Sequence, residues 1–496
     1  MKIAKNFKLL FIILAIALFP VMANACGKTE NSANNDNQSA VTNENISEPE
    51  IPAKALGRFD RIDTGLPDRD FEGYTFNIAS WFVGIWEGDG GNDGSDIWVE
   101  GEVGEALNDS VYRRNKAIEE KYNININMIR MDIEKMNTAV RNTVSTNDNA
   151  YDLVYQRQGN ISTLITAGYL TNLYNVPYLN FDNPWWDKRS VDQQSIAGKA
   201  FIAASDLIRT DKNSESCVLF NKQFAQDFGF ENLYEVVKKG DWTIDYWMEM
   251  NKGLAKDVNG DGILNTKDFI PIDGERLTSL LLFNGAGSTF AQKDADDLPF
   301  SSFMSPRNLD VCTKIMELMD DHSLYVNTYG ETFKNNRSIF FIHLINQVIK
   351  LRSFETEFGV LPVPKYDKTQ ADYYSNVSIH HAGLLSVPIT APDMERTGII
   401  LEALSAESRF TVMPAYYDLA LKSKYLRDDE SEEMLDIIFN SRIYDLGEFF
   451  GFGGLSWTWT TIIETKNRDF VSMYEKVAGK IQNDIDKLIE KISSLD

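Results

Sequence analysis

Between Asp257 and Asp268, six positions that can offer oxygen fall at the spacing of a twelve-residue cation loop. Asp257, Asn259, Asp261 and Asp268 occupy positions 1, 3, 5 and 12, and the Ile263 carbonyl occupies position 7. Asn265, directly or through a water, occupies position 9. Calcium is a hard cation that takes six to eight oxygens, and Gly262 at position 6 permits the sharp turn such a loop requires. Position 12 is Asp rather than Glu, which shortens its reach toward a bidentate contact. The competing reading is a polar helix-end turn without an ion. Five simultaneous matches favour a structural Ca2+ that staples the end of a helix over Trp242–Leu254.

Other reactive groupings are sparse. The chain has no P-loop, no G-x-S-x-G elbow and no H-E-x-x-H motif, and its glycines near Gly90 and Gly453 do not follow a strand in dinucleotide-binding order. No organic cofactor is expected. His380-His381 is the only clustered pair among four histidines. Neighbours in a strand point to opposite faces, so the pair suits a polar cleft better than a metal. With 73 acids, accidental carboxylate pairs are certain, and a secreted glycoside hydrolase is the alternative from the enzyme class. Asp89, Asp93 and Asp96 lie in a Gly-rich loop that they are expected to solvate.

Composition narrows the classes further. The chain is 496 residues long, 43% hydrophobic and 12% aromatic, enough for a large core in two to four domains or one two-lobed unit. Its formal charge of −24 opposes nucleic-acid binding, which needs a basic surface. At the N-terminus Lys2, Lys5 and Lys8 precede an apolar run from Leu9 to Val21, then Ala23-Asn24-Ala25 and Cys26. A basic region, a short apolar core and a small-residue site form an export signal, residues 1–25. A cysteine directly after it resembles a bacterial lipoprotein site, although Ala23 stands where Leu is usual. Plain cleavage after Ala25 is the alternative. Residues 26–70 then read as a lipidated Cys26 and a flexible tether, placing the protein at the extracellular face of the cell membrane through lipid alone. Cys217 and Cys312 sit on apolar stretches and are expected as buried thiols.

The elements that must position a site alternate in type. Tyr74–Ala79 reads as a strand, then a helix through Val111, Ile118 and Tyr122, a strand at Asn123–Ile129, a helix at Met136–Val144 and a strand at Tyr151–Tyr155. This is the βαβ order of a parallel sheet with helices on its faces. Ligands of such sheets bind beyond the carboxyl ends of strands, which draws attention to Ser80-Trp81 and to Gln156-Arg157-Gln158.

Seven segments in order carry a resemblance. Tyr151–Tyr155 is followed by Leu164–Leu173 (LITAGYLTNL), then Gly198-Lys199-Ala200-Phe201 leads to a strand ending at Phe220-Asn221-Lys222. Asp241-Trp242-Thr243 opens a helix, Phe333–Arg337 precedes a strand, Phe358–Lys365 reads FGVLPVPK, and Glu395–Ser408 reads ERTGIILEALSAES. Together with the first strand and loop, they resemble extracellular solute-binding proteins of family 1, the maltose-binding-protein-like lipoproteins of carbohydrate ABC transporters. The resemblance implies a two-lobed periplasmic-binding-protein-like α/β fold of type II. Each lobe would be a mixed sheet flanked by helices, with the ligand cleft between them. Lobe one would take residues 71–203 and 337–382, and lobe two 204–336 and 383–496.

It further implies a monomeric, non-enzymatic protein that hands a carbohydrate, an oligosaccharide above all, to ABC permease subunits by hinge closure. A ligand sensor without a permease would use the same fold. A sugar offers an apolar C–H face to an aromatic ring and a rim of hydroxyls to polar side chains. Trp81 and Trp86 lie at or beyond the first strand's carboxyl end, and Trp457 and Trp459 lie where related proteins place a stacking aromatic. Gln156 and Arg157 follow the third strand, while Asp206, Asn284, His343 and His380 fall near the expected crossings. For each Trp, and outright for Trp242, the competing reading is core. No concentrated basic motif prepares the chain for a strongly anionic ligand, and a peptide stays open as an alternative.

Overall fold

The computed structural model describes residues 57–83, 92–351, 354–421 and 429–495. The export signal, Cys26 and most of the tether lie outside the described residues, as does Trp86. In chain order the strands are β1 Tyr74–Phe82, β2 Ile124–Asp132, β3 Leu153–Arg157, β4 Trp186–Asp187 and β5 Ala204–Ser205. Next come β6 Ser216–Asn221, β7 Ile272–Gly274, β8 Ala291–Lys293, β9 Pro299–Ser301 and β10 Tyr325–Asn327. The last are β11 Phe340–Leu344, β12 Phe358–Leu361, β13 Ser375–Asn376, β14 Gly383–Ser386 and β15 Arg442–Ile443.

The first sheet has the order β14-β3-β1-β2. β2 and β3 run parallel to β1 on either side of it, with Tyr74 opposite Ile124 and Ile78 opposite Leu153. The helices Ala106–Tyr122 and Ile133–Thr146 make the connections. In the first, Val111, Ile118 and Tyr122 fall on one stripe and are buried, and Asn123 ends it in the left-handed region at φ 48°. In the second, the Asp132 carboxylate accepts the Glu134 N–H as an N-cap. β2 is an edge strand that alternates buried Ile124 and Ile126 with exposed Asn125 and Asn127. That alternation makes it readable in sequence.

The second sheet has the order β10-β7-β11-β6-β12. β10 and β11 are parallel to β7, while β6 is antiparallel to both β11 and β12. Behind it Trp242 and Trp247 pack on Phe340, and the Trp242 indole N–H donates to the Pro362 carbonyl at 2.8 Å. Trp242 is thus a core residue, at the start of the helix Ile244–Asn251. Cys217 and Cys312 are free, buried thiols. No helix among the described residues is long and apolar enough to cross a membrane.

Sheet membership corrects the expected lobe boundaries. β11 and β12, placed by sequence in lobe one, pair with β6 in the second sheet, and β14, placed in lobe two, pairs with β3 in the first. All three are short buried apolar runs, and nothing local in such a run states which sheet it completes. The chain crosses between sheets where residues 203–216 run antiparallel to 375–386, through bridges Ala203–Leu385 and Glu215–Val377. β13 also pairs with β15, which brings a third segment to the crossing.

Candidate ligand cleft

Parallel strands aim their carboxyl ends the same way, and the residues that follow them here meet at the crossing segments. Beyond β1, Asn92 donates to the Trp81 carbonyl at 2.8 Å and starts a loop that carries Asp96. The Asp96 carboxylate accepts from the Arg209 Nε at 2.6 Å, the Arg209 backbone N–H at 2.9 Å and the Tyr155 hydroxyl at 3.0 Å. Burial pushes this carboxyl up, yet the Arg209 charge and these donors bring it below the usual carboxylate range. Tyr155 spends its one proton on Asp96, so the Thr210 hydroxyl, 2.6 Å away, donates to it and in turn accepts the Gly383 N–H at 3.0 Å. The crossing is thereby fixed to the first sheet.

Next to this network lies a void of about 220 Å³ bordered by Asn92, Asp96, Arg209, Asn213, Asn346 and His381. It shares Asp93, Ser95, Leu107 and Arg209 with a second void of about 460 Å³ that reaches Asp418. Its walls come from the β1 end, the crossing, and Asn346 just after β11.

His381 connects this void to an aromatic platform. Trp457, on the helix Leu455–Glu464, is 50% exposed. The His380 ring lies 5.8 Å from it, and the Arg276 guanidinium lies 5.4 Å from its centroid. Arg276 follows β7 and is held by Glu464, on the same helix as Trp457, at 2.6 Å. Below them His343 of β11 packs on Phe341, with Nε2 3.9 Å from Glu275. Burial first, then the charge of His381, lowers His343 to about 3. Burial, His381 and Arg157 lower His380 to about 4. Both imidazoles are neutral at pH 7, each with one donor and one acceptor, the pattern that suits hydroxyl groups.

The structure sets His380 against Trp457, with Arg157 near enough to act on His380 electrostatically, while His343 is buried in β11 and several other candidates lie elsewhere. Trp81 is 2% exposed and packs edge-on against Tyr155 in the core. Trp459 is wholly buried among Phe283, Phe303 and Phe470. It lies two residues from Trp457 on one helix, so the two indoles point to different faces. Gln156 is buried: its amide donates to Asn137 at 2.8 Å and accepts the Arg157 N–H at 2.8 Å. Asn284 is buried between Ser288, Asn376 and Asp445. Asp206 is engaged by Arg409 at 3.0 Å and Lys212 at 3.4 Å. Trp81, Gln156, Asn284 and Asp206 were placed by proximity to a strand end or crossing and Trp459 by the resemblance, and in all five the side-chain direction decided otherwise. Arg276 and Arg209 were not singled out from sequence, and Asp96, expected to solvate its loop, is instead buried against Arg209. Arg276 could have been found by the strand-end rule, had Ile272–Gly274 been recognised as a strand.

The cation loop has its own geometry. Oxygens of Asp257, Asp261 and Asp268 lie within 4.8 Å of one another. The Asp257 carboxylate accepts N–H groups of Gly260 and Gly262 at 2.7 and 2.8 Å, and Asp268 accepts those of Val258 and Asn265 at 3.0 and 2.9 Å. Gly262 takes φ 79°, the left-handed conformation that position 6 demands.

No family model and no curated protein matches the sequence. Solved structures do match in fold. A sugar transporter from Rhizobium etli in an open conformation is 13% identical, over 86% of this chain and all of that one, with TM-score 0.54. A cyclo/maltodextrin-binding protein complexed with maltotetraose is 12% identical over 86% of this chain and all of that one, at 0.53. The GacH receptor of Streptomyces glaucescens, described unliganded and with acarbose, is 11% identical over 86% of this chain and all of that one, at 0.51. The fold is therefore the two-lobed, type II periplasmic-binding-protein-like one.

Proposed function

We propose that the protein is the substrate-binding component of an ABC importer and holds a carbohydrate between its lobes. One observation carries this reading. The half-exposed Trp457 ring is flanked by neutral His380, whose segment bonds to the residues after β3, and by Arg276, which follows β7. An indole face complements a sugar's C–H face, and the imidazoles and amides around it match its hydroxyls. The solved structures of the same fold include proteins bound to maltotetraose and acarbose, which supports an oligosaccharide. Binding without turnover fits the carboxylates at the cleft, since Asp96 is engaged by Arg209 and Glu464 by Arg276. Hinge closure would work on the three crossing segments.

In the same reading Cys26 carries lipid, and the protein acts as a tethered monomer at the extracellular face of the membrane, serving permease subunits. The Asp257–Asp268 loop holds a structural Ca2+. Calorimetry of the mature protein with a panel of neutral oligosaccharides and peptides tests the central claim. Stoichiometric, heat-producing sugar binding without product formation is expected. Binding to peptides alone, or release of cleaved sugar, would overturn it. A Cys26→Ser variant should appear in the medium with unchanged ligand affinity.

A further inference from the structure

Arg157 is the last residue of β3 and half-buried. Its Nε donates to Asn160 at 2.8 Å, and its terminal nitrogens have no hydrogen-bond or ion-pair partner among the described residues. Other arginines around the crossing behave differently. Arg209, Arg276, Arg409 and Arg442 each hold a carboxylate at 2.6 to 3.0 Å. Scarcity of acids does not explain the exception, because the chain has 73 acids against 49 bases. Burial lowers the Arg157 pKa, and Glu134 offsets this only through space. Water reaches these terminal nitrogens, so an anionic group entering the site can displace it onto an open fork.

Its surroundings place it in the cleft. The N–H groups of Gln158 and Gly159, directly after Arg157, donate to the carbonyls of Ala382 and Ile379 at 2.8 and 2.9 Å. Those bonds dock the segment bearing His380 and His381 against the β3 end. Arg157 acts electrostatically on His380, whose ring faces Trp457. With His380 neutral and Arg276 committed to Glu464, Arg157 is the uncommitted cation of this wall.

We propose that the carbohydrate bound here bears a carboxylate, as a uronic acid unit does, and that Arg157 receives it through its open fork. This rests on the sugar-binding reading above and deepens it. A guanidinium matches the two oxygens of a carboxylate with two parallel N–H bonds, and Asn160 fixes the plane of that fork. One carboxylate on one ring is met by one arginine, which agrees with the absence of a basic cluster.

The test is calorimetry of the mature protein with matched pairs: a disaccharide of one galacturonate and one galactose unit against the neutral galactose disaccharide of the same linkage, and a glucuronate-containing disaccharide against its glucose counterpart. The acidic member of a pair should bind about tenfold or more tightly. Arg157→Gln should abolish that preference and leave the melting temperature unchanged. Arg157→Lys should restore part of the preference, as charge without the fork. Neutral sugars binding as well as acidic ones, with Arg157→Gln indifferent or lowering both equally, would overturn this inference and leave the sugar reading standing. Binding of acidic peptides with no affinity for either sugar class would overturn both.

Discussion

The rings of His380 and Trp457 lie 5.8 Å apart at an interplanar angle of 54°, although one residue sits in the crossing after β13 and the other on the helix Leu455–Glu464. Trp457 is therefore carried by the helix Leu455–Glu464, while its ring meets a segment that hydrogen-bonds to the residues after β3.

Trp457 and Trp459 should separate binding from stability. Trp457→Ala is expected to weaken sugar binding about tenfold with little change in melting temperature, because the ring is half in solvent. Trp459→Ala empties a wholly buried site and should cost about 3–5 kcal/mol in urea unfolding. The folded fraction should keep its affinity. Paired calorimetry and denaturation of the two variants check this.

Acid should act through His343. Its pKa is depressed to about 3 by burial, so the unfolded chain takes up its proton near pH 6.5 while the folded protein does not. The stability it contributes is present above about pH 6.5 and is lost as pH falls toward about 3, at up to about 1.4 kcal/mol per pH unit. Nδ1 of His343 has no hydrogen-bond partner among the described residues, so His343→Gln removes the titration at modest structural cost. The wild-type minus variant stability should decline from pH 6.5 to 4. A constant difference would refute the assignment.

Glu448 has the opposite sign. Burial first, then Asp445, raises its pKa to about 8, and its carboxyl lies 3.4 Å from the Asn376 amide. The folded state holds this proton where the unfolded chain has released it, so its contribution fades as pH rises from about 4.5 to about 8. Glu448→Gln mimics the protonated form. It should be more stable than wild type at pH 8 and close to it at pH 5, read by melting temperature.

The cation loop predicts a calcium-dependent melting temperature. An ion at a hundredfold its Kd would stabilise the fold by about 2.7 kcal/mol. EGTA should lower the melting temperature, and Asp257→Asn should remove the response without unfolding the protein, since its carboxylate serves only loop N–H groups. An EGTA scan that superimposes on the calcium scan would exclude the ion.

Features with a local cause are legible in the chain alone. The alternation of NININMI reports an edge strand with one wet face, and β2 is that strand. The stripe of Val111, Ile118 and Tyr122 reports a helix on a sheet, and Asp241-Trp242-Thr243 reports a capped helix start, where Thr243 accepts the Tyr246 N–H. Asp257 to Asp268 lies within one loop, so its converging carboxylates were also visible in the spacing. Tertiary structure alone decided which sheet the buried strands β11, β12 and β14 complete, because pairing partners far away in the chain settle that choice. It likewise decided which of two nearby indoles meets solvent. Trp457 and Trp459 share a helix and a composition, but only the packing of Phe283, Phe303 and Phe470 against one face makes Trp459 core and leaves Trp457 open to solvent.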